Sequence, residues 1–245
     1  MEINFRHGDA LSLADQILVF KRTMREAALR HGIYATFLAK PMENEPGCAM
    51  HIHQSMLDAK TGKNLFAGKK EGQHSELFKN YLGGLQKYVP MAMAFFAPNV
   101  NSYRRLALGQ VAPINVQWGY DNRTCGLRVP KSGPEARRIE NRVPGVDVNP
   151  YLAMAAVIAA GLHGVEKGLK LTTPPITGTN QGAEHIPRAP RTLIETTRNF
   201  RESKIARDWL GDTFVDHFAA TREWEWRQWL DAVTDWEMKR YFEII

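Results

Sequence analysis

Between Ala136 and Pro144 the chain reads A-R-R-I-E-N-R-V-P, and the alternation of a strand would place Arg138, Glu140 and Arg142 on one face. A carboxylate between two guanidiniums can hold a divalent cation while the arginines grip phosphate or carboxylate oxygens in pairs. The same pattern also fits a surface ion-pair ladder, which stabilises little. A second reactive stretch is M-H-I-H-Q-S-M at 50–56. As a strand it puts His51, His53 and Ser55 on one face and Met50, Ile52, Gln54 and Met56 on the other. Two imidazoles at i and i+2 can meet a shared ligand, or can be structural. Seven arginines fall between Arg104 and Arg142, against three acids, Asp121, Glu135 and Glu140. Such clustering favours a phosphate site over a general polyanion surface.

The elements that must position these groups follow from local pattern. Glu2 to Arg6 alternates and reads as a strand. A helix is expected from Ser12 to His31, capped by Ser12, with Asp15 at the capping-box position and Gly32 as its stop. Its stripe Ile17, Phe20, Met24, Ala27 and Ala28 reads as core. Ile33–Leu38 is expected to be a short strand, and the loop that follows carries Pro41, Pro46 and Gly47. Ser75 caps a helix to Val89, and Pro90 should begin a separate short one. Ile114–Tyr120 and Thr124–Val129 suggest a hairpin around Asp121-Asn122-Arg123, with Arg128 facing away from Leu127 and Val129. Asn149 and Pro150 open a helix that is apolar all round to Leu162, the pattern of a buried helix. From Arg191 onward the pattern is helical, with Trp209, Trp224, Trp226, Trp229 and Trp236 at core or subunit contacts.

Composition sets outer bounds. The 245 residues are 44% hydrophobic and 24% charged, ordinary for a chain with a real core. The net charge is +6, and 19 of the 32 basic residues are arginine, yet no DNA- or RNA-binding motif is present. Nucleic acid is therefore not an expected partner. Cys48 and Cys125 are far apart and in no metal-ligand spacing, which fits a reduced, cytoplasmic setting. The apolar run Tyr151–Leu162 is too short for a bilayer, so no membrane association is expected.

Taken in order, the motifs resemble the C-terminal catalytic region of class I, bacterial-type glutamine synthetases. The resemblance rests on Gly47-Cys48-Ala49-Met50-His51-Ile52-His53-Gln54-Ser55, on Asn101-Ser102-Tyr103-Arg104-Arg105-Leu106, on Asn122–Pro130, on Ala136–Arg142 and on Asn149-Pro150-Tyr151-Leu152. It implies an α+β fold with a largely antiparallel curved sheet packed with helices and a helical C-terminal segment. It also implies an ATP-dependent ligase that forms γ-glutamyl phosphate from glutamate and then an amide with ammonia or an amine. The cofactors implied are ATP with two or more Mg2+ or Mn2+ ions. Carried over by position, His51 and Glu140 would ligate one metal and Glu2 a second. Arg123, Arg128 and Arg138 would contact phosphate, with Arg123 and Arg128 catalytic. Phe5, His53 and Ser55 would belong to the nucleotide pocket, and Arg105 and Arg142, beside the Gly47 backbone, would bind substrate carboxylate.

Three departures sharpen the expectation. Val111 stands where the family carries a flap glutamate, and an apolar side chain can neither stabilise ammonium nor take its proton. Pro46 replaces a substrate-contacting asparagine. Together they point to a larger amine, as in the γ-glutamylamine (polyamine or monoamine) synthetases of the family. The segment Thr172–Pro190 contains no tyrosine, so adenylylation control is not expected. Residues 1–245 read as one catalytic domain lacking the family's small N-terminal domain and first catalytic strands. The chain alone is accordingly expected to be inactive, and the full-length protein a large homo-oligomer. Non-catalytic membership of the family and ordinary glutamine synthesis remain open alternatives.

Overall fold

Four strands of three residues each carry the site. They are β1 (Ile52–Gln54), β2 (Trp118–Tyr120), β3 (Leu127–Val129) and β4 (Ile139–Asn141), in the spatial order β1-β4-β3-β2. The computed structural model describes residues 2–70, 72–107, 112–179 and 189–245. β4 pairs antiparallel with both β1 and β3, whereas β2 and β3 run parallel. The fold is α+β as expected, with a small mixed sheet and, among the described residues, eight helices.

The register does the positioning. His53 lies opposite Glu140 on one side and Arg128 lies opposite Glu140 on the other, so three strands deliver one row of polar side chains. The neighbouring row, Ile52–Asn141–Leu127–Trp118, is buried throughout. Directly opposed residues share a face, and a one-residue slip would invert both rows. The buried row therefore fixes where the charges go.

Under the sheet lies a helical layer. α2 (Glu76–Phe96) is capped by Ser75, whose hydroxyl accepts from Phe78 N–H at 3.1 Å, and it packs along α4 (Pro150–Glu166). The two backbones approach closely, because a Cβ at Gly84 would sit 2.2 Å from the Ala160 oxygen and one at Gly164 would sit 2.6 Å from Gly84 Cα. α2 does not stop at Pro90. A proline inside a helix costs roughly 3 kcal/mol, and burial of Val89, Ala92, Met93 and Phe96 along the continuing turn offsets it. The C-terminal segment is helical as expected: α5 (Leu193–Glu202), α6 (Lys204–Leu210), α7 (Asp212–Leu230) and α8 (Asp235–Tyr241).

Several local expectations are corrected. α1 spans Ala10–Arg30 and its cap is Asp9, which accepts from Ser12 N–H at 2.9 Å, so Ser12 is inside the helix. Ile17 and Ala28 are buried, but Met24 is exposed, so the stripe is only partly core. Residues 2–6 and 33–38 form no strand, since no neighbouring strand supplies a ladder. The β2–β3 connection is not a hairpin. Asp121 turns at φ 45°, and Asn122 anchors the loop by donating to the Ile176 and Gly178 carbonyls at 3.2 and 2.7 Å. The chain climbs back so that Leu127 N–H reaches the Gln117 carbonyl at 3.0 Å, giving a parallel pair. α4 is capped by Asn149 as expected but is not buried all round, with Ile158 and Leu162 exposed.

Candidate active site

Glu140 is the centre of the polar row and is only 2% exposed. Arg128 donates to its Oε2 at 2.8 Å and Arg142 to its Oε1 at 2.7 Å. Burial by itself would raise the pKa of this carboxyl. The Arg128 hydrogen bond, with Arg142, His53 and His51, outweighs burial and holds it below the usual carboxylate range. Asp121 completes Arg128's pairing at 2.9 Å and also accepts from Lys131 N–H at 3.2 Å. For Arg128, burial pulls the other way, and the two carboxylates hold the guanidinium above its ordinary pKa.

The two histidines flank this centre. His51 Nδ1 is 3.3 Å from Glu140 Oε1, and His53 Nε2 is 3.8 Å from the same oxygen. Burial, followed by the positive field of Arg142, lowers the His51 pKa to about 4 against the opposing pull of Glu140. Burial likewise lowers His53, with Arg138 reinforcing it. Both imidazoles are therefore neutral at pH 7 and keep a lone pair. On His53 it faces Arg138, whose Nε donates to Nδ1 at 3.1 Å. His51 Nδ1 lies between Glu140 Oε1 at 3.3 Å and Arg142 Nη1 at 3.5 Å, and its tautomer sets whether Nε2 keeps the lone pair that a cation needs.

Arg105 sits behind the row, buried in α3 (Val100–Arg105), and donates to the Val143 and Arg142 carbonyls at 2.9 and 3.0 Å. Burial lowers its pKa to about 10 while Asp147 opposes. Gly47 must be glycine there, because a Cβ would lie 2.8 Å from both Arg105 Cγ and the Ala39 oxygen. Gly47, Arg105 and Arg142 thus form one contiguous wall.

The structure brings together His51, His53, Arg128, Arg138, Glu140 and Arg142, with Arg105 and Gly47 adjoining. It does not bring in the others. Arg123 is exposed in the 121–126 loop, and Ser55 is exposed beyond β1. Phe5 packs edge-on against Phe20 of α1 at 5.3 Å, and Glu2 is exposed. Without a strand at 2–6 nothing aims these side chains at the row. Among the described residues no group of three or more His, Cys, Asp or Glu could hold a metal ion. His51 and Glu140 converge, but Glu140 is already bound by two arginines, and a divalent cation needs about six oxygen or nitrogen donors. His51 and Glu140 alone do not complete the first expected metal position, and Glu2, expected at the second, is exposed. Val111 and positions 180–188 of the segment expected to lack adenylylation control lie outside the described residues.

Sequence reasoning missed two positioning acids. Asp121 was read only as a turn residue, although its place immediately after β2 puts it beside Arg128. Asp147 accepts from Asn99 Nδ2 at 3.0 Å and Ser102 Oγ at 2.6 Å, fixing the start of α3. Nothing in its spacing signals that contact, which crosses 45 residues of sequence.

The site is thus a mixed sheet that presents one buried carboxylate among arginines and neutral histidines, backed by a helical layer. The profile of the glutamine synthetase catalytic domain matches residues 1–241, and the chain belongs to that family. It is 46% identical over its whole length to a type-1 glutamine synthetase 2 of Dictyostelium discoideum, covering 47% of that protein. It is 39% identical to a glutamate–isopropylamine ligase of a Pseudomonas species, covering 100% of this chain and 53% of the relative. With a gamma-glutamylethanolamide synthetase of Streptomyces coelicolor the identity is 41%, over 99% of this chain and 51% of the relative. A solved structure of apo GmaS without ligand superposes with a TM-score of 0.85 at 32% identity, covering 96% of this chain and 54% of that one. The chain thus spans about half the length of the relatives it matches.

Proposed function

We propose that the chain is the catalytic part of an ATP-dependent ligase joining the γ-carboxylate of glutamate to an amine larger than ammonia. The observation that carries this reading is the cross-strand row Arg128–Glu140–His53 with Arg138 and Arg142 beside it. Two carboxylates, Glu140 and Asp121, among three guanidiniums and two neutral imidazoles leave one positive charge in surplus along the row. Moving a phosphoryl group between two anions needs that surplus, preorganised where the charge develops.

In the proposed reaction a γ-carboxylate oxygen of glutamate attacks the γ-phosphorus of ATP, and the bond to ADP breaks. The amine nitrogen then attacks the acyl carbon, phosphate departs with the electrons of the C–O bond, and the nitrogen gives up a proton. Arg128 and Arg138, joined by Arg123 from the adjoining loop, would neutralise phosphate oxygens. Arg142, braced by Arg105 through its own carbonyl, would hold substrate carboxylate beside the Gly47 backbone. His53 would contact the nucleotide, and Phe5 and Ser55, which lie outside the row here, would join it only on a rearrangement of their segments. Family membership implies ATP and divalent cations, Mg2+ or Mn2+, which supply further charge neutralisation when bound. Donors beyond His51 and Glu140 must be added to hold them, with Glu2 one candidate. The natural setting of this chemistry is a cytoplasmic homo-oligomer of the full-length protein.

The preference for an amine rests on Val111 in place of an acid and on relatives named for isopropylamine and ethanolamide products. Steady-state assays of the full-length protein with ammonium, isopropylamine, ethanolamine and putrescine test it. Turnover with amines exceeding that with ammonium by about tenfold or more is expected. Efficient turnover with ammonium alone would favour the second reading, ordinary glutamine synthesis, which the names of other relatives support.

A further inference from the structure

A cleft of about 570 Å³ opens on the other side of α3, between the 40–43 loop, the start of α5 and the helix α7. Its lining shares no residue with the Glu140 row. Tyr103, Trp226 and Trp229 supply an aromatic wall, and Lys40, Arg104 and Arg191 supply cations against the single acid Glu43. Adjacent arginines on α3 divide the labour, because Arg105 is buried against the Val143 and Arg142 carbonyls while Arg104 is exposed in the cleft.

The two tryptophans lie one helical turn apart on α7, with ring centroids 4.8 Å apart and planes 39° from parallel. Trp226 is half-buried against the core, whereas Trp229 is exposed. The cation–ring stacks of the described residues involve Phe37, Tyr88 and Phe218, so no cation covers either indole. Among the described residues neither the Arg104 nor the Arg191 guanidinium has an ion-pair or hydrogen-bond partner. The Arg191 backbone N–H does, donating to Glu195 at 2.9 Å, which fixes the chain at the cleft mouth. Thr192 caps the ten-residue α5 at the same edge. Its N-terminus adds a further partial positive charge, partly offset by Glu195.

We infer that this cleft is a second ligand site, for a small planar aromatic anion whose ring lies against Trp226 and Trp229 and whose carboxylate or phosphate meets Arg104 and Arg191. The volume falls in the range of about 300–1,000 Å³ typical of small-molecule sites. Three cations against one acid leave a net charge of two for the anionic group, and guanidiniums are suited to bind such oxyanions in pairs. Aromatic stacking orients the ring and excludes ligands that lack one.

Calorimetric titration of the 245-residue chain tests the inference, with indole-3-acetate and phenyl phosphate as probes and indole, acetate and inorganic phosphate as controls. Saturable binding of the two aromatic anions is expected, weakened about tenfold or more in Arg104→Gln and in Arg191→Gln. Indole and inorganic phosphate should each bind at least about tenfold more weakly than the joined probe. Trp229→Leu should weaken both probes, and circular dichroism would confirm that each variant is folded. Arg191 is exposed and has no side-chain partner, so its variant keeps the test informative if Arg104→Gln misfolds. Absence of saturable binding, equal binding of indole and indole-3-acetate, or displacement by ATP with no response to either arginine variant would overturn the assignment.

Discussion

Glu140 holds two arginines in a space from which water is nearly excluded, so its charge is both costly and indispensable. Replacing it by Gln keeps the shape but removes the counter-charge from Arg142 and Arg128. Stability should fall by about 2 kcal/mol or more, because Arg142 is left buried without an anion, while Arg128 keeps Asp121. Urea denaturation of Glu140→Gln measures this. By contrast, Asp121→Asn at the exposed end of the same pairing should cost under about 1 kcal/mol. His74 provides a pH signature outside the row. It stacks on Phe78 at 4.0 Å, and burial followed by Arg137 and Lys79 lowers its pKa to about 4. The unfolded chain takes up the proton near the ordinary value of about 6.5. Between those values the unfolded state binds more protons, so stability falls as pH drops from about 7 to about 4. Urea midpoints at pH 7 and pH 5 should differ less for His74→Gln than for the unmodified chain. The difference should be on the order of 1 kcal/mol, discounted for partial solvent access.

At the scale of elements, the site depends on β4 being held in register between β1 and β3, and the register depends on the helical layer beneath. In that layer the α2 backbone at Gly84 lies directly against the α4 backbone. Gly84→Ala would thrust a methyl into the Ala160 carbonyl and separate α2 from α4, with an expected loss of roughly 1–3 kcal/mol. Gly133→Ala, where a Cβ meets open space, should be nearly neutral in the same thermal melts. Equal melting temperatures for the two variants would refute this account of the helix pair. The parallel β2–β3 pair shows the opposite dependence, of a strand on a loop. Its six-residue return is short for a parallel crossover, which ordinarily needs a dozen residues or more, and Asn122 holds it in place through the 176–178 segment.

For the whole molecule, two donors, His51 and Glu140, converge where a divalent cation needs more. The 245-residue chain by itself is therefore expected to show no γ-glutamyl transfer with ATP and Mg2+ or Mn2+, and detectable turnover by purified chain would refute that. Among the described residues no helix is long and apolar enough to cross a membrane. Leu18, Val19, Ile158 and Leu162 are nevertheless exposed on α1 and α4.

Family, fold class and most of the polar row were legible in the chain, because strand alternation alone places His51 with His53 and Arg138 with Glu140 and Arg142. Caps at Ser75 and Asn149 were legible for the same reason, being local chemistry that needs only neighbours in sequence. What alternation cannot supply is a partner. Residues 2–6 have the pattern of a strand yet form none, since a ladder requires a second chain segment alongside. Pro90 reads locally as a break, yet the core holds the helix through it. The pairing of His53 with Glu140 and of Glu140 with Arg128, the retreat of Arg105 behind the sheet, and the cleft that takes Arg104 instead are all contacts between distant segments. Only tertiary packing, which sets register and burial together, decided them.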